Sequence, residues 1–287
     1  MRIATLQISM PLLSVVIPTY RRAKTLTKTL DRLAAQTIVG DLEVIVVSDG
    51  HDPETAELFQ ANKSRWSFPL TFLEIPKSQQ GTARNAGVKL ATGQRILFIG
   101  DDIFLQPDAC AYHATDRSAA VLGFTTWDPE LIVTPLMRWL ESSGWQFGYP
   151  KIAAYAGKEL PANIQDRFTY TSHVSVPTSV ARNLPFRENL TLYGWEDIEW
   201  GMRLRDAGVR LFYEARAKAF HHHPMVIQDS LKRMEILGRS AVAFEKTDPQ
   251  MNIVPKGLKR IAYEILSNLP TLAGRHRRAF LRGIRSL

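Results

Sequence analysis

Apolar and polar positions follow two rhythms along the chain. From Ser14 to Ile99, short apolar runs take turns with segments whose apolar residues return every three or four positions. Ser14–Ile17 (SVVI) reads as a strand stopped by Pro18. Leu26, Leu30 and Leu33 then recur at helical spacing, with Gln36 near the end. Leu42–Val47 (LEVIVV) is a second strand and Glu54–Asn62 a helix. Leu70–Ile75 (LTFLEI) is a third strand, Gly81–Leu90 a helix closed by Thr92-Gly93, and Arg95–Ile99 (RILFI) a fourth strand. Runs this short and this apolar suit strands covered on both faces, and their alternation with helices predicts right-handed crossovers and a mostly parallel sheet.

The rhythm then breaks. Ala119–Thr126 predicts another strand, after a short helix that holds Cys110. From Trp127 to Pro161 the pattern is irregular and rich in rings: Trp127, Trp139, Trp145, Phe147, Tyr149 and Tyr155. Such rings either stack on apolar sugar faces or build a local core under loops, and for most of them the core is expected. Thr169–Val176 reads as extended, Glu196–Ala207 as a helix ended by Gly208, and Val209–Tyr213 and Ala217–Phe220 as a pair of strands. Ile227–Phe244 is an amphipathic helix, and two further helical stretches follow, broken at Pro270 and Gly274. There is no internal repeat and no low-complexity tract.

With 287 residues, 45% of them hydrophobic and 22% charged, the chain is long and apolar enough for one large domain or a domain with an appendage. One cysteine allows no internal disulfide, which suits a reducing compartment. The opening MRIATLQISMPLLSVVIP lacks a basic segment followed by a continuous apolar one, and no apolar run is long enough to span a bilayer, so neither a signal peptide nor a membrane span is expected. Net charge is +8. Most of the excess lies in Lys256, Lys259, Arg260, Arg275, Arg277, Arg278, Arg282 and Arg285, opposed between Pro255 and Leu287 only by Glu264. A cationic amphipathic helix there, with Leu272, Phe280, Leu281, Ile284 and Leu287 as its apolar face, predicts contact with an anionic membrane; a solvated helix or a dimer contact is the other reading. No nucleic-acid-binding motif accompanies the charge, so nucleic acid is not an expected partner.

The strongest chemical signal is RILFIGDD, an apolar run ending in Asp101-Asp102. In open α/β sheets ligands bind at the carboxyl ends of strands, and two adjacent carboxylates attract a compensating cation. Oxygen ligands of this kind suit Mg²⁺ or Mn²⁺, which in turn suit a diphosphate. The alternative is that these aspartates cap a helix near Pro107. Other signals fall at the same edge: Pro18-Thr19-Tyr20 after the first strand, Asp49 after the second, and GTARNAG (Gly81–Gly87) opening the helix after the third. Further along, Gly194-Trp195-Glu196-Asp197 opens a helix, and His221-His222-His223 closes the strand pair after it.

In that order and spacing, VVIPTYRR, EVIVVSDGHD, GTARNAGVKLATG, RILFIGDDI, GWEDIEWGMRLRDAG and AFHHHP resemble the family 2 glycosyltransferases, over roughly Leu13 to Pro224. The resemblance implies an α/β fold of the GT-A type, a mostly parallel Rossmann-like sheet flanked by helices. Residues 1–226 would be the catalytic domain, with the nucleotide part at about 12–105 and the acceptor part at about 106–226; residues 227–287 would be a basic helical extension. It implies inverting, metal-dependent transfer from a nucleotide sugar, UDP-linked by expectation, to a glycan or lipid-linked acceptor in cell-surface polysaccharide or glycolipid synthesis. The setting would be the cytoplasm or the inner face of the cell membrane.

Residue by residue, the resemblance makes Asp102 the metal ligand, joined by His221 or His223. Those two share a face if the segment is extended, while His222 points away. Asp101 would help with the metal or the ribose, although Gly100 stands where the family often has a first aspartate. Asp49 would accept a hydrogen bond from the base, with Ser48 in place of a common aspartate, and Pro18, Thr19 and Tyr20 would shape the nucleoside pocket. Arg84 would meet phosphate. Asp197 would be the base that takes the acceptor proton, with Glu196 orienting the acceptor. The departures at Gly100 and Ser48 also permit a non-catalytic nucleotide-sugar-binding subunit of a glycan assembly complex. Three histidines can equally be a surface cluster, and acids at a helix start are favoured by the helix dipole alone.

Overall fold

Every residue of Leu13–Thr19 is buried, and so is every residue of Arg95–Ile99, which puts the apolar runs at the centre of a sheet. The structure, a computed structural model, describes residues 10–62, 64–189 and 193–286. Its first part alternates: β1 (Leu13–Thr19), α1 (Ala23–Ala34), β2 (Leu42–Asp49), α2 (Pro53–Ala61), β3 (Leu70–Ile75), α3 (Gln80–Leu90) and β4 (Arg95–Ile99). A more irregular part follows: β5 (Ile103–Leu105), α4 (Ala109–His113), β6 (Ala120–Trp127), α5 (Pro135–Ser143), β7 (Lys158–Glu159), α6 (Ala162–Gln165), β8 (His173–Pro177), α7 (Thr178–Asn183), α8 (Glu196–Asp206) and β9 (Leu211–His221). Three helices end the chain: α9 (Ile227–Thr247), α10 (Gly257–Ser267) and α11 (Leu272–Arg285).

The strands lie in the order β3-β2-β1-β4-β8-β6-β9-β5, with β7 beside β9. β3, β2, β1 and β4 are parallel. β8 is antiparallel to both β4 and β6, so the sheet is mixed from there on. Helices cover both faces. On one, Leu26, Leu30 and Leu33 of α1 pack on Leu13, Val15, Val44 and Leu97. On the other, Ala83 and Val88 of α3 pack on Val16, Ile45, Val47 and Phe98. α3 lies close to the sheet because position 87 is glycine: a Cβ there would stand 2.5 Å from Val16 Cγ1.

Several expectations are corrected. Asp101 and Asp102 cap no helix: they form a turn, and β5 follows at once. The ring-rich stretch contains α5, which Thr134 caps by accepting from Met137 N, with Pro135 at its first position. Leu211–His221 is one strand rather than two; a register shift opposite Gly123/Phe124 absorbs the polar residues that looked like a break. Gly274 does not interrupt a helix. It sits in the first turn of α11, where its N–H donates to the capping Thr271.

The apolar face expected on the tail is not free either. Phe280 and Leu281 are buried, and α11 packs closely along α9, where Gly238 and Gly283 let the backbones approach. Leu272 and Ile284 are half-buried. Leu287 lies outside the described residues, as does the stretch before Met10 on which the expectation about a leader partly rests.

Candidate active site

The carboxyl ends of β1, β2 and β4 open onto one cleft of about 860 Å³. Pro18, Thr19, Tyr20, Asp49, Arg84, Asp101, Asp102, Glu196, Asp197, His221 and His223 all line it. Residues far apart in sequence therefore meet in one place.

The acidic turn after β4 is tightly held. Thr19 Oγ1 donates to Asp101 Oδ2 at 2.7 Å. Arg22, at the start of α1, clamps both aspartates: its Nη1 lies 2.7 Å from Asp101 Oδ1 and its Nη2 3.0 Å from Asp102 Oδ2. Burial, and then the charge of Asp102, push the Asp101 carboxyl up to about 6, against the pull of Arg22 and Thr19. Burial alone would also raise Asp102. Its hydrogen bonds with His221 and His223, helped by Arg22, outweigh that and hold it well below the usual carboxylate range. A side chain at Gly100 would bring its Cβ to 3.0 Å from Asp102 Oδ1, so that carboxylate would have to shift slightly to admit it.

The histidines arrive on the end of β9. His222 N donates to the Asp102 carbonyl at 2.8 Å, which ties the segment to the acidic turn. His221 Nε2 lies 3.4 Å and His223 Nδ1 3.3 Å from Asp102 Oδ2, and their rings stack at 5.3 Å. His222 turns the other way, onto Phe104 and the buried Asp128, whose Oδ2 is 2.6 Å from its Nδ1. Donor atoms of Asp102, His221 and His223 lie within 4.8 Å of one another, and the buried Nδ1 of His221 has no hydrogen-bond partner. One carboxylate from the turn and two imidazoles from the end of β9 make a donor set that could hold a divalent cation.

The other acidic pair opens α8. Gly194 and Trp195 both have positive φ, 89° and 74°, and this double left-handed step turns the chain into the helix. The φ of Gly194 favours glycine, and a Cβ there would meet Leu237 Cδ2 at 2.1 Å and force that side chain to move. Trp195 Nε1 donates to the Leu237 carbonyl at 2.9 Å, anchoring the turn to α9. Asp197 accepts from Thr171 Oγ1 at 2.5 Å and from Thr171 N at 3.3 Å. Burial, reinforced by Asp197, pushes Glu196 up to about 7, with Arg84 opposing, and its Oε2 has no hydrogen-bond partner. Arg84 itself is buried; one Nη donates to Gln80, while Nε and the other Nη have no partner. A buried guanidinium with donors to spare, at the wall of a cleft, is suited to an anionic group.

At the nucleoside end, Asp49 accepts from Ser78 N at 2.7 Å and Ser78 Oγ at 2.9 Å, and pairs with Lys77 Nζ at 2.9 Å. Lys77 also lies over the Tyr20 ring, 3.8 Å from its centroid. Residues 14–123, which hold this half of the cleft, match the family described as Glycosyl transferase family 2. The chain belongs to the family 2 glycosyltransferases.

Among curated relatives, validoxylamine A glucosyltransferase of Streptomyces hygroscopicus subsp. jinggangensis is 30% identical over 221 residues, which cover 69% of this chain and 52% of the relative. A PGL/p-HBAD biosynthesis glycosyltransferase of Mycobacterium tuberculosis is 36% identical over 116 residues, 39% of this chain and 42% of the relative. The chain thus spans about half the length of the curated relatives it matches. Mannosyltransferase PcManGT of Pyrobaculum calidifontis, solved with GDP-Man and Mn²⁺, aligns over 97% of this chain and 76% of its own at a TM-score of 0.59 and 18% identity. TarS 1–349 of Staphylococcus aureus, solved with UDP-GlcNAc, aligns over 79% of this chain and 66% of its own at 0.55 and 18%. At such identities the likeness is one of fold.

Some residues of this family 2 cleft carried no signal of their own in the sequence. Arg22 was visible only as part of the basic pair in PTYRR. Thr171, which holds Asp197, lies in a stretch read simply as extended. Tyr263 comes from α10, remote in sequence from every motif, yet lines the same cleft. Asn85 serves packing: its side chain bonds both the N–H and the carbonyl of Phe186.

Proposed function

We propose that this chain transfers a sugar from a nucleotide diphosphate, UDP-linked in our reading, to an acceptor hydroxyl with inversion. The observation that carries the proposal is the meeting of two acidic pairs and two histidines along one cleft. In this reading Asp102, His221 and His223 hold Mn²⁺ or Mg²⁺, and Asp101 orients the donor from the other side of the turn. The bound ion supplies positive charge to the diphosphate, which gains negative charge as the sugar leaves. Arg84 adds a guanidinium to the same anionic region. Asp49 Oδ2 keeps a lone pair free beyond its contact with Lys77, so it can still accept from a ring N–H of the base, while Pro18, Thr19 and Tyr20 form the wall beside it.

Asp197 takes the proton of the attacking hydroxyl, oriented for that task by Thr171, and Glu196 contacts the acceptor. With one carboxylate as base and none assigned as nucleophile, a single displacement follows. The acceptor is a glycan or a lipid-linked saccharide, met in the cytoplasm or at the inner face of the membrane, and the product belongs to cell-surface or glycolipid synthesis. Residues 1–226 form the catalytic domain, and residues 227–287 an extension that closes the acceptor end. The UDP-GlcNAc complex of TarS supports a uridine donor; the GDP-Man complex of PcManGT makes guanosine the nucleotide to test against it.

Calorimetry with UDP, GDP and dTDP, each with Mn²⁺ or Mg²⁺, combined with a transfer assay, tests the reading. Asp197→Asn is expected to bind UDP as the parent does and to lose at least about a hundredfold in transfer rate. Transfer at the parental rate would remove Asp197 from its role. Unchanged metal-dependent UDP binding in Asp102→Ala would remove Asp102 from its own.

A further inference from the structure

α10 is amphipathic in the wrong sense for a helix packed on a protein. Leu258, Ile261, Ile265, Leu266 and Leu269 recur at helical spacing and are 85%, 54%, 64%, 37% and 45% exposed. The opposite side carries Arg260, Tyr263, Glu264 and Ser267, and Ser267 is its buried residue. The apolar side therefore points to solvent, and none of the core clusters among the described residues takes in any of its members. A contiguous exposed apolar face of this kind marks an interaction surface. Its setting is basic. Lys256 and Lys259 are exposed on and beside α10, as are Arg275, Arg278, Arg282 and Arg285 on the adjoining α11. Arg278 bonds the Ser267 carbonyl, and Lys256, Arg282 and Arg285 pair with Glu245, Glu235 and Glu264, so Lys259 on α10 and Arg275 on α11 are the exposed cations of this group with charge to offer. An aliphatic helix face with a basic margin matches the chemistry of an anionic bilayer surface, into which such a helix sinks its apolar side while the cations meet headgroups.

The position of the helix gives this contact a purpose. Tyr263 projects from the other side of α10 into the cleft, close to Arg277, whose guanidinium carbon lies 5.7 Å from the Tyr263 ring centroid. One helix thus has one side in the cleft and the other free. We propose that the outward face of α10 docks this chain on anionic lipid, so that the cleft receives an acceptor saccharide carried on a membrane-embedded lipid. This rests on the transfer reading above and chooses the lipid-linked member of its two acceptor classes.

The test is co-sedimentation of the whole chain with vesicles of equimolar phosphatidylcholine and phosphatidylglycerol, beside vesicles of phosphatidylcholine alone. The parent binds the anionic vesicles, and binding weakens as salt is raised. The double variant Ile261→Glu/Ile265→Glu changes only exposed positions and loses more than about tenfold in partitioning, while its thermal unfolding and UDP binding match the parent. Lys256→Glu/Lys259→Glu loses the preference for anionic over neutral vesicles. UDP binding by a parent chain that ignores both vesicle types would overturn the inference and leave the transfer reading standing. A parent chain that dimerises in gel filtration with light scattering, is made monomeric by Ile265→Glu and binds no vesicles would assign the face to a second copy and overturn it too. Vesicle binding by a chain that binds no nucleotide diphosphate would support the docking surface and sink the transfer reading.

Discussion

Arg22 occupies the place a bound cation would want. Its guanidinium spans Asp101 and Asp102 at 2.7 and 3.0 Å, with the carboxylates only 7% and 11% exposed and the arginine side chain 35%. At an effective dielectric near 20, a charge pair about 4 Å apart attracts by about 4 kcal/mol. Desolvation and partial exposure cut the net value of such a contact to about 1–2 kcal/mol. A divalent ion on Asp102 would compete with Nη2 for the same negative charge, so Arg22 opposes metal in the nucleotide-free protein. Arg22→Gln is therefore expected to bind Mn²⁺ about 5–30-fold more tightly, since 1.36 kcal/mol is a factor of ten. Free Mn²⁺ measured by electron paramagnetic resonance during titration of the nucleotide-free protein reads this directly. Asp102→Asn, alone and combined with Arg22→Gln, is expected to abolish the binding. Arg22→Gln should also unfold more easily without metal, because two buried carboxylates lose their cation. If Arg22→Gln binds Mn²⁺ no better than the parent, the arginine is part of the frame that shapes the turn, and the competition argument fails.

Two further outcomes follow from the geometry. Glu196 binds its proton in the folded chain up to about pH 7, whereas an unfolded glutamate releases it near 4.3. The folded state therefore holds more protons across that window, and stability falls as pH rises through it. Glu196→Gln removes this penalty, so its thermal midpoint should match the parent's below about pH 4.3 and exceed it at pH 8, by up to about 4 kcal/mol of stability; a difference independent of pH would refute the assignment. Gly87→Ala forces a Cβ to 2.5 Å from Val16 and should cost about 1–3 kcal/mol, read as a lower urea midpoint with unchanged slope; no loss would mean that α3 can lift off the sheet freely.

What could be read from the chain alone depended on range. β1, β2 and β4 are buried on both faces and so are dominated by apolar residues, and their limits stand out without any partner in view; β3, at the sheet edge, keeps Thr71 and Glu74 exposed and was legible from its remaining apolar residues instead. The acidic turn and the histidine run were conspicuous because few other pressures place such residues at strand ends. The Arg22 clamp was not legible, because an arginine just after a strand looks the same whether it meets water or two aspartates from β4. β9 was split in reading because Glu214 and Arg216 are charged in a strand whose register shifts there against β6. α5 was hidden by its aromatic content, although Thr134-Pro135 is a sound helix start. The tail's apolar residues were visible, but not which helix keeps its own exposed: α11 spends Phe280 and Leu281 inside the protein, and α10 does not.

The bond from Trp195 to the Leu237 carbonyl, with the close approach of Leu237 that glycine at 194 permits, joins the start of α8 to the middle of α9. The final helices are therefore not a detachable module. Shortening the chain before α9 would leave the left-handed step at Gly194-Trp195 without its brace, and the carboxylates it aims would lose their bearing even though none of the removed residues carries an acidic role. A hybrid that grafts another C-terminal segment onto this scaffold must keep a backbone carbonyl where that of Leu237 stands before any question of acceptor choice can be asked.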